Sequence, residues 1–163
     1  MRRLLLASAF MAGCRKDPTG AGDAARSEGR YDVASPGEGW VAQRPGGADK
    51  AWFHPDLGAA IYTDSNCGSR FEDSPLADLA THLTYGIARG APTREERLEL
   101  DGREALLRVH DGALDGVAVT VGAIVTKKHR CTYDMLFISA PASFEAGWPA
   151  FVGLSTGFRV RAR

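Results

Sequence analysis

Histidine and serine side chains are the groups in this chain that could act as metal ligands, general bases or nucleophiles. The four histidines stand far apart, at His54, His82, His110 and His129. No two of them form a His-x-x-x-His motif, which would place two ligands on one helix face. Three serines flank a cysteine, at Ser65, Ser69 and Ser74. None lies in the Gly-x-Ser-x-Gly elbow of serine hydrolases. Since neither the histidines nor the serines form a known motif, we expect the histidines to lie at the surface. We expect no catalytic site, no metal and no cofactor.

Charged residues form three short clusters. Glu72-Asp73 and Glu95-Glu96 are acidic, and Lys127-Lys128-His129-Arg130 is basic. Glu95-Glu96 opens a predicted strand, where adjacent carboxylates point to opposite faces and cannot flank one substrate bond. The basic cluster is predicted at a hairpin tip, where solvated charges are common. Lys127, Lys128 and Arg130 are nevertheless possible contacts for anionic lipid headgroups or an acidic partner.

The N-terminus carries the strongest sequence signal. Arg2 and Arg3 precede an apolar stretch of eight residues from Leu4 to Met11, too short to span a bilayer core of about 30 Å. Small residues then lead into Cys14, and the run Met11-Ala12-Gly13-Cys14 resembles the lipobox of bacterial lipoproteins. That resemblance implies cleavage after Gly13 and a lipid on the Cys14 thiol. Arg15, rather than Asp, follows the cysteine, which by the enteric rule favours the outer membrane.

Two further cysteines, Cys67 and Cys131, form an even pair. In an exported chain such a pair is most simply a disulfide. The two residues lie too far apart for a Cys-x-x-Cys redox motif, so a structural bridge is expected. A zinc site would require additional cysteine or histidine at short spacing.

Size and charge narrow the class of protein. The chain has 163 residues, of which 44% are hydrophobic and 25% charged, as expected for one globular domain. Without Arg2 and Arg3, 18 basic residues stand against 20 acidic ones. Because these charges are interspersed along the chain, a nucleic-acid partner is not expected.

Three segments follow from composition. Residues 1–13 are predicted to be the signal peptide, and residues 14–37, which are rich in small and charged side chains, a flexible membrane tether. Residues 38–163 should form a single domain. Alternation and turn residues predict strands at 39–44, 50–54 and 59–63, then at 94–100, 103–110, 117–125 and 131–139. Aspartate-glycine pairs at 101–102, 111–112 and 115–116 predict turns. The last strand should lie at the sheet centre.

Two helices are predicted. Ser74 as N-cap and Pro75 at the first helical position begin a stripe of Leu76, Leu79, Leu83 and Ile87, about 15 residues long and closed by Gly90. Near the C-terminus, apolar residues recur at steps of three and four from Phe144 to Phe158. Since Pro149 interrupts this pattern, we expect a short turn at 142–146 and a helix at 149–157.

The order of these elements resembles the Mog1/PsbP-like proteins. The residues that suggest it are Leu100-Asp101-Gly102-Arg103, the run from Cys131 to Phe137, and the stripe from Phe144 to Phe158. The resemblance implies an α+β fold in which a curved antiparallel sheet packs against a middle helix and a C-terminal helix. That fold serves for binding and assembly and has no shared active site to transfer.

These expectations leave three functions open, the last of which is a domain that only supports the envelope or an assembly machine. The first is a membrane-anchored envelope lipoprotein, held at a membrane facing the periplasm or cell surface, that binds an envelope protein or small ligand without catalysis. The second is a hydrolase of cell-wall or lipid material whose carboxylates are brought together only by the fold.

Overall fold

The structure is a computed structural model that describes residues 30–44, 46–68 and 73–161. In these ranges the chain forms nine strands: β1 (Tyr31–Asp32), β2 (Val41–Gln43), β3 (Lys50–His54), β4 (Ala59–Cys67), β5 (Arg94–Leu100), β6 (Arg103–Leu114), β7 (Val117–Lys128), β8 (Cys131–Ser139) and β9 (Arg159–Val160). The helices are α1 (Leu76–Leu83) and α2 (Phe144–Thr156), the second preceded by a 3₁₀ turn at Pro141–Ser143. The fold is α+β, as predicted.

Seven strands form one antiparallel sheet in the order β2-β3-β4-β8-β7-β6-β5. β8 is therefore the central strand, as predicted from its apolar sequence. Its Tyr133, Met135 and Phe137 face is fully buried, whereas Leu136 and Ile138 on the other face are only half-buried. One predicted turn is wrong, because β6 continues through Asp111-Gly112, where both residues pair with β7.

Three consecutive hairpins share a two-residue turn in which both φ angles are positive. Asp101-Gly102 joins β5 to β6, and Asp115-Gly116 joins β6 to β7, as predicted. His129 and Arg130 adopt the same left-handed geometry between β7 and β8, with φ of 53° and 65°. Asparagine, aspartate and glycine are the usual residues of such turns, so two larger basic side chains are unusual here.

Helix α1 differs from its prediction at both ends. Pro75 occupies the N-cap position, rather than Ser74, and no side chain caps the helix. The helix ends at Leu83, well before Gly90, and a turn follows. Gly86 in that turn has φ of +83°, a left-handed conformation that cannot continue a right-handed helix.

Helix α2 is a single helix that runs through Pro149, so the predicted break is wrong. Its aromatic side chains explain why the proline is tolerated. Phe144 stacks on Trp148, which also contacts Phe151, and Phe144 and Phe151 are buried against Phe137 of β8. Burial of this stripe offsets the cost of proline in a helix interior, about 3 kcal/mol.

The two helices lie on opposite faces of the sheet. Helix α2 contacts β8 and β4 over the main core, which contains Ile61, Ile124 and Phe137. Helix α1 packs on β6 and β7, where it covers Leu106 and Val125. Since strand side chains alternate between faces, each helix buries a different half of the same strands.

The fold begins before residue 38, which corrects the predicted end of the tether. Tyr31 in β1 is 4% exposed and donates or accepts a 2.7 Å hydrogen bond with Thr63. β1 also pairs with β9 near the C-terminus. Residues 1–29, which include Cys14, lie outside the described residues. Within the described ranges, the strands and helices extend from Tyr31 to Val160.

Candidate functional site

The predicted disulfide is present. Cys67 ends β4 and Cys131 begins β8, and the register places the two residues directly opposite each other. The bridge therefore ties neighbouring strands at the end of the sheet that also carries the β7–β8 turn. This position fits a structural bridge between strands across a sequence separation of 64.

The predicted partner contacts Lys127, Lys128 and Arg130 lie beside that bridge, and the two lysines bond within the domain. Lys127 Nζ donates to the carbonyl of Ser74, and Lys128 Nζ donates to the carboxylate of Asp101. Hydrogen bonding to Lys128 lowers the pKa of Asp101. Arg130 is exposed at the turn itself. A small pocket of ≈ 190 Å³ opens here, and its lining includes Arg103, Lys127, Lys128, His129 and Arg130.

An uncovered apolar surface lies on the α1 side of the sheet. Helix α1 covers the β6–β7 half of this side, and the half formed by β2, β3, β4 and β8 carries no helix among the described residues. We call this surface the open face; it consists of Val41, Phe53, Ala60, Tyr62, Leu136 and Ile138. Val41, Phe53 and Tyr62 are 54%, 39% and 38% exposed. Apolar side chains clustered in this way mark interaction surfaces more often than scattered ones.

Strand register aligns the open face into two rows. Val41, Phe53, Ala60 and Ile138 are successive cross-strand neighbours, and Tyr62 lies opposite Leu136 in the next row. A groove of ≈ 440 Å³ runs along the outer part, lined among others by Gln43, Arg44, Phe53, Ala60 and Tyr62. The rows therefore form a continuous apolar strip that ends at the sheet edge, β2.

Another cleft lies where α1 ends above β6. It measures ≈ 650 Å³, and Thr81, Arg108 and His110 are among its lining residues. Arg108 pairs with Glu95 at 2.7 Å and donates to the Thr81 hydroxyl at 2.9 Å. His110 is 6% exposed, and neither of its ring nitrogens has a hydrogen-bond partner among the described residues. Burial, assisted by Arg108, lowers the pKa of His110 and keeps the ring neutral.

The prediction that all histidines lie at the surface is therefore wrong for His110. His82 and His129 are exposed, whereas His54 is half-buried edge-on to Trp40. Ser65 is buried and donates to Asp49, and Ser69 lies outside the described residues. Among the residues that the structure describes, no three histidine, cysteine or acidic side chains cluster as a metal site.

Sequence reasoning also missed one carboxylate pair. Asp64 of β4 and Asp134 of β8 are opposite each other in the register and share the α1 side of the sheet. The two residues are 70 positions apart in sequence, so only the pairing of β4 with β8 reveals that they are cross-strand neighbours. Paired carboxylates of this kind are one of the arrangements that general acid–base chemistry uses.

The geometry defines a class: the described residues form a single α+β domain with one helix on each face of an antiparallel sheet. Neither a family profile nor a curated protein matches this chain significantly. In the part that the structure describes, no helix is long and apolar enough to cross a membrane.

Several solved structures share the fold, among them the following three. LpqN of Mycobacterium tuberculosis, involved in cell envelope biogenesis, is 12% identical with a TM-score of 0.59, covering 91% of this chain and 88% of LpqN. The cyanobacterial PsbP of Synechocystis sp. PCC 6803 is 12% identical with a TM-score of 0.56, covering 89% and 100%. The protein PA94 of Pseudomonas aeruginosa, of unknown function, is 13% identical with a TM-score of 0.54, covering 86% and 89%. The domain therefore has a PsbP-like fold.

Proposed function

We propose that this protein is a membrane-anchored envelope lipoprotein whose domain binds another envelope protein without catalysis. The observation that carries the proposal is the open face. Three large apolar side chains there, Val41, Phe53 and Tyr62, keep between 38% and 54% of their surface in water. A partner that covers them removes apolar surface from water, which stabilises a complex.

The shape of the open face favours a protein partner over a small ligand. Small-molecule sites enclose most of the ligand surface, whereas one face of a sheet contacts its ligand from one side. The strip also reaches β2, an edge strand whose three residues are all exposed. A polypeptide can pair with this edge through its backbone while its side chains fill the adjoining groove.

Envelope location is supported by two observations. The residues before Cys14 resemble a lipobox, and LpqN, which shares the fold, is involved in cell envelope biogenesis. Anchoring is tested by Cys14→Ser. The variant should carry no lipid and should keep the mass of the uncleaved precursor, because the thiol that receives the lipid is absent. A variant that stays in the membrane fraction with the mass of the processed wild type would contradict the anchor.

Photocrosslinking in cells tests the open face. A benzoylphenylalanine at Tyr62 should give one discrete adduct, and the same group at Tyr85, which is 86% exposed at the end of α1, should give none. Phe53→Ser in the neighbouring strand should abolish the Tyr62 adduct while the domain stays folded. Equal adducts at both tyrosines would refute a specific surface. An adduct of twice the monomer mass would instead identify a second copy as the occupant.

A second candidate function, hydrolysis of cell-wall or lipid material, is favoured by the Asp64–Asp134 pair alone. Their opposed positions place two carboxylates within reach of one substrate bond. Peptidoglycan fragments and phospholipid are the substrates to assay. Hydrolysis that Asp134→Asn abolishes, and that Asp78→Asn on α1 does not, would favour the enzyme. No turnover by the wild type would remove it.

A further inference from the structure

Hydrogen bonds connect the first described residue, Arg30, to the residues around the β7–β8 turn, which carries His129 and Arg130. Arg30 O accepts a 2.9 Å hydrogen bond from the backbone of Arg161, and Arg161 follows β9. The neighbouring Val160 N–H donates to the Asp101 carboxylate, which also accepts from Lys128 Nζ at 2.8 Å. The entry of the chain and the β7–β8 turn therefore lie at the same end of the sheet.

This end carries an excess of basic side chains. Its described basic residues are Arg30, Arg103, Lys127, Lys128, Arg130, Arg159 and Arg161. The nearby acidic residues are Asp32, Asp73, Glu99, Asp101 and Glu104, and three of them are paired: Asp32 with Arg161, Asp101 with Lys128, and Glu104 with Arg97. We call the basic set the basic end. Its exposed members surround the ≈ 190 Å³ pocket or the entry of the chain.

The opposite end of the sheet is acidic. It contains the turns at Pro55–Gly58 and Asp115-Gly116 and the start of α2. Its acidic residues are Glu38, Asp56, Asp111, Asp115 and Glu145, against Arg89 and Arg94. The charges that looked interspersed along the sequence are thus separated by the fold into two ends of opposite sign.

We propose that the basic end docks on the anionic lipid headgroups of the membrane that holds the anchor, so that the acidic end points away from it. The inference rests on the proposed anchoring at Cys14. Only 16 residues, Arg15 to Arg30, separate the anchor from the fold, and even fully extended they span at most about 55 Å. Because the chain from the anchor enters the fold at the basic end, this end is on average nearer to the headgroups than the acidic end, and each lysine or arginine there attracts an anionic surface.

Turn geometry at the basic end agrees with this role. His129 and Arg130 occupy left-handed positions for which glycine or asparagine is better suited. The other two hairpins use aspartate-glycine in the same geometry, so a basic pair at this one turn places charge at the tip of the sheet.

Vesicle binding by a chain that begins at residue 15 tests the proposal without the lipid. Such a chain retains every strand and helix of the described ranges, and it carries 18 basic and 20 acidic residues. A protein of this composition has a small net negative charge, and if its charges were evenly distributed over the surface, anionic vesicles would repel it. We expect it to cosediment with phosphatidylglycerol–phosphatidylcholine vesicles at low salt, to be released by salt, and not to bind pure phosphatidylcholine.

Paired variants locate the contact. Arg103→Gln/Arg130→Gln should weaken binding about 25-fold, or about fivefold for each charge. Arg89→Gln/Arg94→Gln removes the same charge from the acidic end and should change binding less than about twofold. Circular dichroism and unfolding midpoints establish that both variants fold.

Absence of binding to anionic vesicles, or equal losses in the two variants, would overturn the proposal. Because the tested chain has no lipid, neither result bears on anchoring. Conversely, failure of the Cys14→Ser test would leave a measured affinity of the basic end for anionic lipid unchanged.

Discussion

Gly147 and Gly153 both lie in α2, yet the same substitution should act in opposite directions at the two positions. A Cβ atom built on Gly147 would lie 2.7 Å from Cζ and 3.1 Å from Cε2 of Phe137 in β8. A Cβ atom on Gly153 meets no atom within 4 Å. Helix α2 therefore approaches the sheet closely at Gly147, while Gly153 faces solvent.

The expected magnitudes follow from two opposing effects. Alanine is favoured over glycine in a helix interior by about 1 kcal/mol, so Gly153→Ala should raise the free energy of unfolding by that amount. Gly147→Ala gains the same helix propensity, but its added methyl group overfills the core, which typically costs about 1–3 kcal/mol of stability. Phe137 has no room to move, because four aromatic rings contact it, those of Trp40, Phe144, Trp148 and Phe151. Gly147→Ala should therefore lower stability by about 1 kcal/mol.

Urea denaturation of the two variants and the wild type measures both changes. The variants should differ by about 2 kcal/mol with unchanged m-values. A third variant, Gly147→Ala/Phe137→Leu, removes the clashing ring and should lose less stability than the two single changes added together. Equal stabilisation at Gly147 and Gly153, or strict additivity in the double variant, would refute the close approach of α2 to the sheet.

Two further predictions concern the disulfide and the buried histidine. Cys67→Ala/Cys131→Ala should lower the free energy of unfolding by about 4 kcal/mol, since the bridge closes a long loop; urea midpoints of oxidised and reduced wild type provide the control. Burial lowers the pKa of His110 below 6.5, so the unfolded chain binds its proton first and stability should fall as pH drops below about 6.5. His110→Gln should flatten this slope in pH-dependent unfolding, whereas His82→Gln, at an exposed position, should not.

The sequence predicted correctly those turns whose geometry depends on the residues of the turn itself. Asp101-Gly102 and Asp115-Gly116 form hairpin turns as expected, because the pair suits two positive φ angles. Asp111-Gly112 has the same residues and yet continues β6, since ten consecutive residue pairs with β7 outweigh the turn preference. The predicted break at Pro149 was wrong for a similar reason, because the aromatic packing of α2 compensates for the hydrogen bond that proline cannot donate.

Features that depend on distant pairing could not be read from the sequence. The open face exists because α1 packs on β6 and β7, and the sequence of the helix does not show which strands it covers. The stripe from Leu76 to Ile87 suggested about 15 residues, whereas the helix ends at Leu83 before the left-handed Gly86. Likewise Asp64 meets Asp134 only through the β4–β8 register. The disulfide was predictable because export to an oxidising compartment and the single pair of cysteines beyond Cys14 need no knowledge of register.

The two proposed surfaces constrain each other through the direction of the strands. β4, β7 and β8 run between the basic end and the acidic end, so a domain that docks by its basic end holds its strands roughly along the membrane normal. The open face contains β4 and β8. It therefore stands upright on the membrane and faces sideways, towards neighbouring molecules on the same membrane. In that orientation Val41 and Tyr62 meet a partner that stands beside the domain on the same membrane. Crosslinks from Tyr62 should accordingly reach membrane-attached proteins, and loss of the anchor at Cys14 should weaken them even though the open face is unchanged.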